Sequence, residues 1–243
     1  MHVIKLGATD STNSYLKGLL TEQKLQDFTV VLAENQTKGR GQVDTTWRSE
    51  PGKNLTLSIL KYFEGIEAQH QFLINLCISL AVYDTLIALK VPRVSIKWPN
   101  DILSGTSKLC GILIENLISG QEIKSSVIGI GLNVNQTAFQ KELNATSLQL
   151  LLSKELDKEY VLELLLKALK SYLEKAHMFH WEELLKTYEK KLFRKGVPST
   201  FQRPDESYFM GIIQGVTETG SLKVLLKNDT CEEFGFKEVK LLY

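Results

Sequence analysis

Residues 126–134, SVIGIGLNV, are almost continuously apolar, and no other stretch constrains the fold as much. A strand without polar alternation must be covered on both faces, so it belongs at the centre of a sheet with layers above and below. The neighbouring segments can supply those strands and layers. FTVVLAE (28–34), NLTLSIL (54–60) and VSIKW (94–98) read as strands, and DILSGTSKLCGILIEN (101–116) as a hairpin turning at 104–107. Asp10 and Ser11 offer short oxygen acceptors to the free N–H groups of a helix over 12–22. A longer helix over 67–89 places Phe72, Leu76, Leu80, Tyr83 and Ile87 at helical spacing. Segment 157–191 holds two more helices, one with Val161, Leu165, Ala168 and Tyr172 on one face and a second beginning near Trp181.

After Gly196 the texture changes. STFQ, SYFMGIIQGVT, SLKVLLK and CEEFGFKEVKLLY are short strands separated by RPDE, ETG and KND turns, which predicts a small separate barrel. The expected organisation is an α+β catalytic domain over 1–193 and a C-terminal β domain over 194–243.

With 43% apolar and 23% charged residues, the 243-residue chain has the composition of a packed globular protein. A net charge of +1 gives no global footprint for nucleic acid or an anionic membrane. Cys77, Cys110 and Cys231 are odd in number and far apart, which argues against a disulfide scaffold or structural zinc and for a reducing compartment. The N-terminus lacks the basic and apolar regions of a signal peptide. Charge is expected to interrupt every apolar stretch before the roughly 20 residues of a membrane span. A cytoplasmic protein is expected.

Four polar constellations fall where loops meet strands. DSTN (10–13) reads as a helix cap or as part of a site. In AENQTKGRGQVDTTW (33–47), Gly39 and Gly41 can bring backbone N–H groups close to an anion, and Arg40 adds a positive fork. Trp47 can stack on a base or pin the loop, and a plain surface loop remains the competing reading. KWPND (97–101) with Lys108 gathers two lysines and Asp101 on one hairpin, suited to charge stabilisation of a phosphoryl-type reaction. The alternative is a salt-bridged turn. In GIGLNVN, Asn133 and Asn135 emerge from a buried strand and need partners, in a ligand or in the adjacent loop. Cys110, inside an apolar strand without a histidine partner, reads as core, and His70, His177 and His180 as members of solvated helix faces.

Taken in this order, DSTN, AENQTKGRG, Trp47, KNLTLSI, IKWPND, KLCGILIE and GIGLNVN resemble the biotin protein ligase family over most of residues 1–136. The resemblance implies a catalytic domain like that of class II aminoacyl-tRNA synthetases, a mixed sheet flanked by helices, followed by an SH3-like barrel. It implies that Ser11, Thr12 and Gln36 hydrogen-bond the biotin ring system, with Gly39, Arg40, Lys108 and Gly111 around the biotin carboxylate and the activated phosphate. Trp47, Asn100 and Asn133 then belong to the nucleotide side with Gly39, Arg40, Gly41 and Lys108, and Arg40, Lys97, Asp101 and Lys108 to the catalytic set. ATP, magnesium and biotin are the implied small molecules. Magnesium is expected to come with the nucleotide, with Asp101 as a candidate ligand and no metal cluster otherwise.

The implied chemistry is formation of biotinyl-5′-AMP followed by transfer to a lysine of a biotin carboxyl-carrier domain. A reactive anhydride needs shielding from water, so the glycine loop is expected to act as an anion-binding lid. The alternatives are a lipoate or octanoate ligase on the same fold, or a non-catalytic ligand-binding module. Two departures stand out. Gln42, Val43 and Asp44 replace the arginines and glycine of GRGRRG in many relatives, and DSTN begins at residue 10, leaving no room for the DNA-binding winged helix of some relatives. The expectation is a monofunctional ligase without a nucleic-acid or membrane partner, with a homodimer left open.

Overall fold

The computed structural model describes residues 2–42, 45–140, 143–176 and 181–243. Its first half runs β1 (His2–Thr9), α1 (Thr12–Glu22), β2 (Thr29–Gln36), β3 (Leu55–Tyr62), α2 (Phe72–Ala88), β4 (Val94–Lys97) and β5 (Asp101–Ser104). Then follow β6 (Ser107–Ser119), β7 (Glu122–Leu132), α3 (Leu148–Leu152), α4 (Lys158–Glu174) and α5 (Trp181–Glu189). Five short strands close the chain: β8 (Pro198–Gln202), β9 (Tyr208–Val216), β10 (Leu222–Leu226), β11 (Cys231–Phe234) and β12 (Lys240–Leu242).

The large sheet has the order β1-β2-β3-β7-β6-β5-β4. Only β1 and β2 pair in parallel, so the sheet is mixed as expected. The apolar strand β7 lies at its centre, and each face finds its own cover. On one face α1 buries Leu16 against Val31, Leu60 and Val127. On the other, Leu57, Ile59, Ile128 and Ile130 join the core built with α2 and α4. Side chains alternate along a strand, so Gly129 and Gly131 share the face of Val127. There α1 covers Val127 and its neighbours, while the glycines leave a hollow.

Helix α2 bears on the membrane expectation, and Asp84 interrupts its apolar stretch as expected. Residues Ala68–Ala88 are apolar enough by composition to span a membrane, with Asp84 the one charged side chain of the helix. Two thirds of that window is buried inside the fold, because α2 lies under α4 and α5 and against the large sheet. Two elements escaped the periodicity reading: edge strand β1, whose burial pattern does not alternate, and the short α3.

The small sheet, β11-β10-β9-β8-β12, is antiparallel throughout. Its Phe201, Ile213, Val216, Leu222, Val224 and Phe234 belong to the same continuous apolar cluster as the core under the large sheet. The turn after β4 is part of that junction. Trp98 donates its indole N–H to the Gly220 carbonyl at 2.8 Å and packs on Phe236 with ring centroids 5.5 Å apart.

Tyr188 of α5 is fully buried and meets Phe72 edge-on, with ring centroids 5.8 Å apart. Its hydroxyl has no hydrogen-bond partner among the described residues. Leaving a buried hydroxyl unpaired costs about 1–3 kcal/mol. Tyr188→Phe keeps the ring and removes that cost, so it is expected to raise the unfolding free energy by about 1 kcal/mol in urea titration, and a loss of stability would contradict the unpaired hydroxyl.

Candidate active site

A cavity of about 730 Å³ opens over the glycine face of the large sheet, and the small sheet forms part of its wall. Ser11, Thr12 and Gln36 line one end. Ser11 occupies the position before the first turn of α1, yet its side chain makes no capping bond, which corrects the cap reading. Gln36 takes that role from the end of β2: its Oε1 accepts from the Thr12 backbone N–H at 2.8 Å and the Thr12 hydroxyl at 3.1 Å. Asp10 also turns away from the helix. It accepts from the Thr37 hydroxyl at 2.8 Å and from Lys38 at 3.2 Å, and those bonds hold its carboxyl below the usual carboxylate range.

The glycine loop is tied to itself. Gly41 donates its N–H to the Thr45 carbonyl at 2.7 Å, and Trp47 donates to the Gly39 carbonyl at 3.0 Å. A Cβ on Gly39 would stand 2.3 Å from the Trp47 carbonyl oxygen. Gly39 therefore serves the loop's approach to its own far end and does not line the cavity, and the Gly41 N–H is spent internally. The expectation that Gly41 aims a free N–H at a ligand is corrected accordingly. Arg40 and Gln42 do line the cavity, whereas Val43 and Asp44 lie outside the described residues. The loop also delivers Trp47, whose indole lies flat on Gly131 and touches Gly111 across the β6–β7 pairing. Its N–H is buried and has no partner among the described residues.

The KWPND hairpin places its charges at the other end. Asp101 stands between two lysines: Oδ1 lies 2.6 Å from Lys108 Nζ and Oδ2 3.3 Å from Lys97 Nζ. The Lys108 contact is an ion pair without the alignment of a hydrogen bond. Lys108 also stands 5.7 Å from the Trp47 ring. Asn100 donates to the Ile112 carbonyl at 2.9 Å and lines the cavity. Asp101 offers the single carboxylate among the described lining residues, and both its oxygens are taken by lysines. That arrangement does not suit a divalent cation, which needs several free oxygens. The candidate metal ligand is instead the anchor of two cations.

Asn133 and Asn135 are not brought to the cavity. Asn133 donates to the Thr146 carbonyl at 2.9 Å, and Asn135 exchanges two bonds with the backbone of Leu156. Cys110 is fully buried and burial pushes its thiol pKa up, as burial pushes that of Cys77 up to about 12. His70 is half-buried, and His177 and His180 lie outside the described residues.

Several participants were missed. Asn13, Gly129 and Gly131 stand inside the quoted DSTN and GIGLNVN strings, where two glycines spaced by two on a buried strand signal a close approach. Lys240 of β12 and its neighbours Lys237 and Tyr243 also line the cavity, and nothing local in their sequence points there. Tyr243 lies 5.5 Å from Lys97 Nζ; burial first, and then Asp101, push its phenol pKa up. The described lining holds Arg40, Lys97, Lys108, Lys237 and Lys240 against one acidic side chain, Asp101, so it is cationic and suited to anions.

A mixed sheet with a cation-lined cavity on its glycine face defines a protein built to bind an anionic ligand. The chain belongs to the biotin/lipoate A/B protein ligase family, whose model matches residues 6–133. The biotin–[acetyl-CoA-carboxylase] ligase of Paracoccus denitrificans is 30% identical over 224 residues, which cover 89% of this chain and 91% of that protein. The bifunctional ligase/repressor BirA of Bacillus spizizenii is 34% identical over 148 residues, 59% of this chain. The match covers 45% of that protein, so the chain spans less than half of its length. Among solved structures, the Aquifex aeolicus biotin protein ligase in complex with biotin and ATP superposes with a TM-score of 0.81 at 28% identity, covering 99% of this chain and 98% of that one.

Proposed function

We propose that this chain activates biotin with ATP and transfers the biotinyl group to a lysine of a biotin carboxyl-carrier domain. The observation that carries the proposal is the two-ended cavity: a polar end of Ser11, Thr12 and Gln36 joined to an end of cations drawn from both sheets. The likeness over nearly the whole chain to a ligase solved with biotin and ATP supports it. In this reading Ser11, Thr12 and Gln36 hold the ureido ring, and Gly111 leaves room for the acyl chain. Arg40 and Lys108 bind the carboxylate and the α-phosphate. Trp47 and Asn100 border the nucleotide, and Lys97 and Asp101 keep Lys108 in place. Asn133 takes no direct part in this reading, since its amide braces the loop at Thr146.

A biotin carboxylate oxygen attacks the α-phosphorus of ATP and pyrophosphate leaves. The acceptor lysine's amine then attacks the acyl carbon, loses a proton and expels AMP. Both reacting partners of the first step are anions, so fixed cations lower its barrier. Magnesium enters with the nucleotide rather than on a protein site. We further place the domain boundary at 193/194, and the protein in the cytoplasm, where ATP and its acceptor are at hand.

The test is incubation with ATP, magnesium and either biotin or lipoate, followed by mass spectrometry for the acyl-adenylate. Biotinyl-5′-AMP is expected. Lipoyl-AMP alone would move the chain to the lipoate branch of its family, and no adenylate with either acid would favour a binding module.

A further inference from the structure

Arg40 does not reach into the cavity unsupported. Its guanidinium holds both oxygens of Glu115, with Nη2 3.1 Å from Oε1 and Nη1 3.4 Å from Oε2. Glu115 lies on β6 and does not line the cavity. Its carboxylate is held from two further directions, by Lys17 of α1 at 2.8 Å and by the Asn13 amide at 2.8 Å. A carboxylate gripped by three groups is a fixed point, and a bidentate pair transmits that fixity to the guanidinium. Two of the five guanidinium N–H donors are used on Glu115, and the others remain for a ligand.

The chain of contacts continues inward. Asn13 is 2% exposed, and its Oδ1 lies 2.5 Å from the Ser58 hydroxyl. Ser58, fully buried on β3, is also 2.7 Å from the Thr12 hydroxyl, which in turn donates to Gln36 Oε1. The Ser58 hydroxyl has one proton to share between Asn13 and Thr12. An unbroken polar path thus runs from Arg40 on the loop, through Glu115, Asn13 and Ser58, to Thr12 and Gln36. Gly129 is the residue that admits it, because a Cβ there would stand 2.5 Å from Asn13 Oδ1.

We propose that Glu115 is a positioning residue for Arg40, and that the Asn13–Ser58 link ties the set of Arg40 to the residues at the polar end. The proposal rests on Arg40 being the anion-binding cation of the ligase reading. Lys17 keeps the cluster net positive, since two cations share one carboxylate, so the pair orients Arg40 without cancelling its attraction for an anion. Glu115 stays ionised at neutral pH. Burial raises its pKa, but the bonds from Lys17 and Asn13 and the charges of Arg40 and Lys17 outweigh burial and leave it below the usual range.

The experiment is a double-mutant cycle on Glu115→Gln and Arg40→Ala, read as kcat/KM for biotin in pyrophosphate release, together with hydrogen exchange of the ligand-free proteins. Gln keeps the shape and the bond to Asn13 and removes the charge. With Arg40 present, Glu115→Gln is expected to lower kcat/KM about tenfold, the size of one charge-assisted hydrogen bond. In the Arg40→Ala background the same change is expected to cost less than about twofold, because the residue it acts through is gone. Equal losses in both backgrounds would overturn the proposal, since a merely structural role multiplies. In the free protein, amides of 37–42 are expected to exchange at least about tenfold faster in Glu115→Gln than in wild type, and unchanged exchange would likewise overturn it. That arm needs no substrate, so it decides the positioning role even where wild type makes no adenylate and the ligase reading fails. If Glu115→Gln does not fold, Glu115→Asp, which keeps the charge and shortens its reach, takes its place in both arms.

Discussion

Arg40→Ala and Lys108→Ala are each expected to slow biotinyl-adenylate formation at least about a hundredfold, the scale of losing one preorganised donor to developing negative charge. Both residues line the cavity, and their side chains stand 44% and 35% exposed, so neither substitution opens a hole in the core. Neither leaves an orphaned partner. Without Arg40, Glu115 keeps Lys17 and Asn13. Without Lys108, Asp101 keeps Lys97. The backbone bonds of Lys108 to Asn144 and Thr146 survive an alanine. The melting temperature is therefore expected to stay within a few degrees of wild type, consistent with less than about 1 kcal/mol lost. Lys108 also loses its position beside the Trp47 ring, so its removal is expected to weaken nucleotide binding more than Arg40→Ala does. Pyrophosphate release at saturating ATP, with the melting curve beside it, checks both. A wild-type rate in either variant would remove that cation from the chemistry.

How far the fold could be read in advance depends on where each element takes its instructions. The apolar run of β7, the hairpin turning at Gly105 and the heptad-like face of α4 follow from local pattern, and all three stand in the structure. Gly105 adopts φ 62°, which explains the position of the turn. Strand β1 lies at an edge beside a parallel neighbour, so its pattern answers to one-sided pairing rather than to burial on alternating faces. Helix α2 is apolar all round and is covered by α4, α5 and the large sheet, and only tertiary context tells it from a membrane span.

The site divides the same way. Lys97, Asp101 and Lys108 lie close in sequence on paired strands, so a hairpin reading suffices to gather them. The Gln36–Thr12 bond, which replaces the expected cap, spans 24 residues and depends on parallel pairing of β1 with β2. Asn133 is a case where two readings stood side by side. Its position at the end of β7 left a ligand or the adjacent loop as partner and the resemblance implied a nucleotide contact, while the structure gives the buried amide a carbonyl 13 residues on. Lys237, Lys240 and Tyr243 reach the cavity through the packing of the small sheet on the rest of the fold, which includes the Trp98–Gly220 bond across 122 residues of sequence.

Gly131→Val is expected to lower adenylate formation by about a hundredfold while the protein remains folded. Gly111 and Gly131 face each other across β6 and β7 and make a floor without side chains. Trp47 lies directly on it: a Cβ at Gly131 would stand 2.4 Å from the indole Cε2 and 2.6 Å from Cζ2. No contact of that length survives, so the indole must leave its seat. Strand propensity runs the other way, since valine stabilises an extended backbone that glycine weakens. The overpacking cost of about 1–3 kcal/mol therefore falls on the closed loop rather than on the sheet, which is the magnitude behind the expected loss of rate. Gly131→Ala should show the same effect more weakly, because its Cβ makes the clash but adds no methyls to the cavity. Gly7→Ala is the matched control: it lies on β1, with nothing within 4 Å of the added carbon, and should leave the rate unchanged. Intrinsic fluorescence of Trp47, read against a Trp47→Phe background, follows the displacement itself. If Gly131→Val turned over at the wild-type rate with the indole still in place, the glycine floor would not be what seats the loop, and the loop's hold on the site would have to come from Arg40 and Glu115 alone.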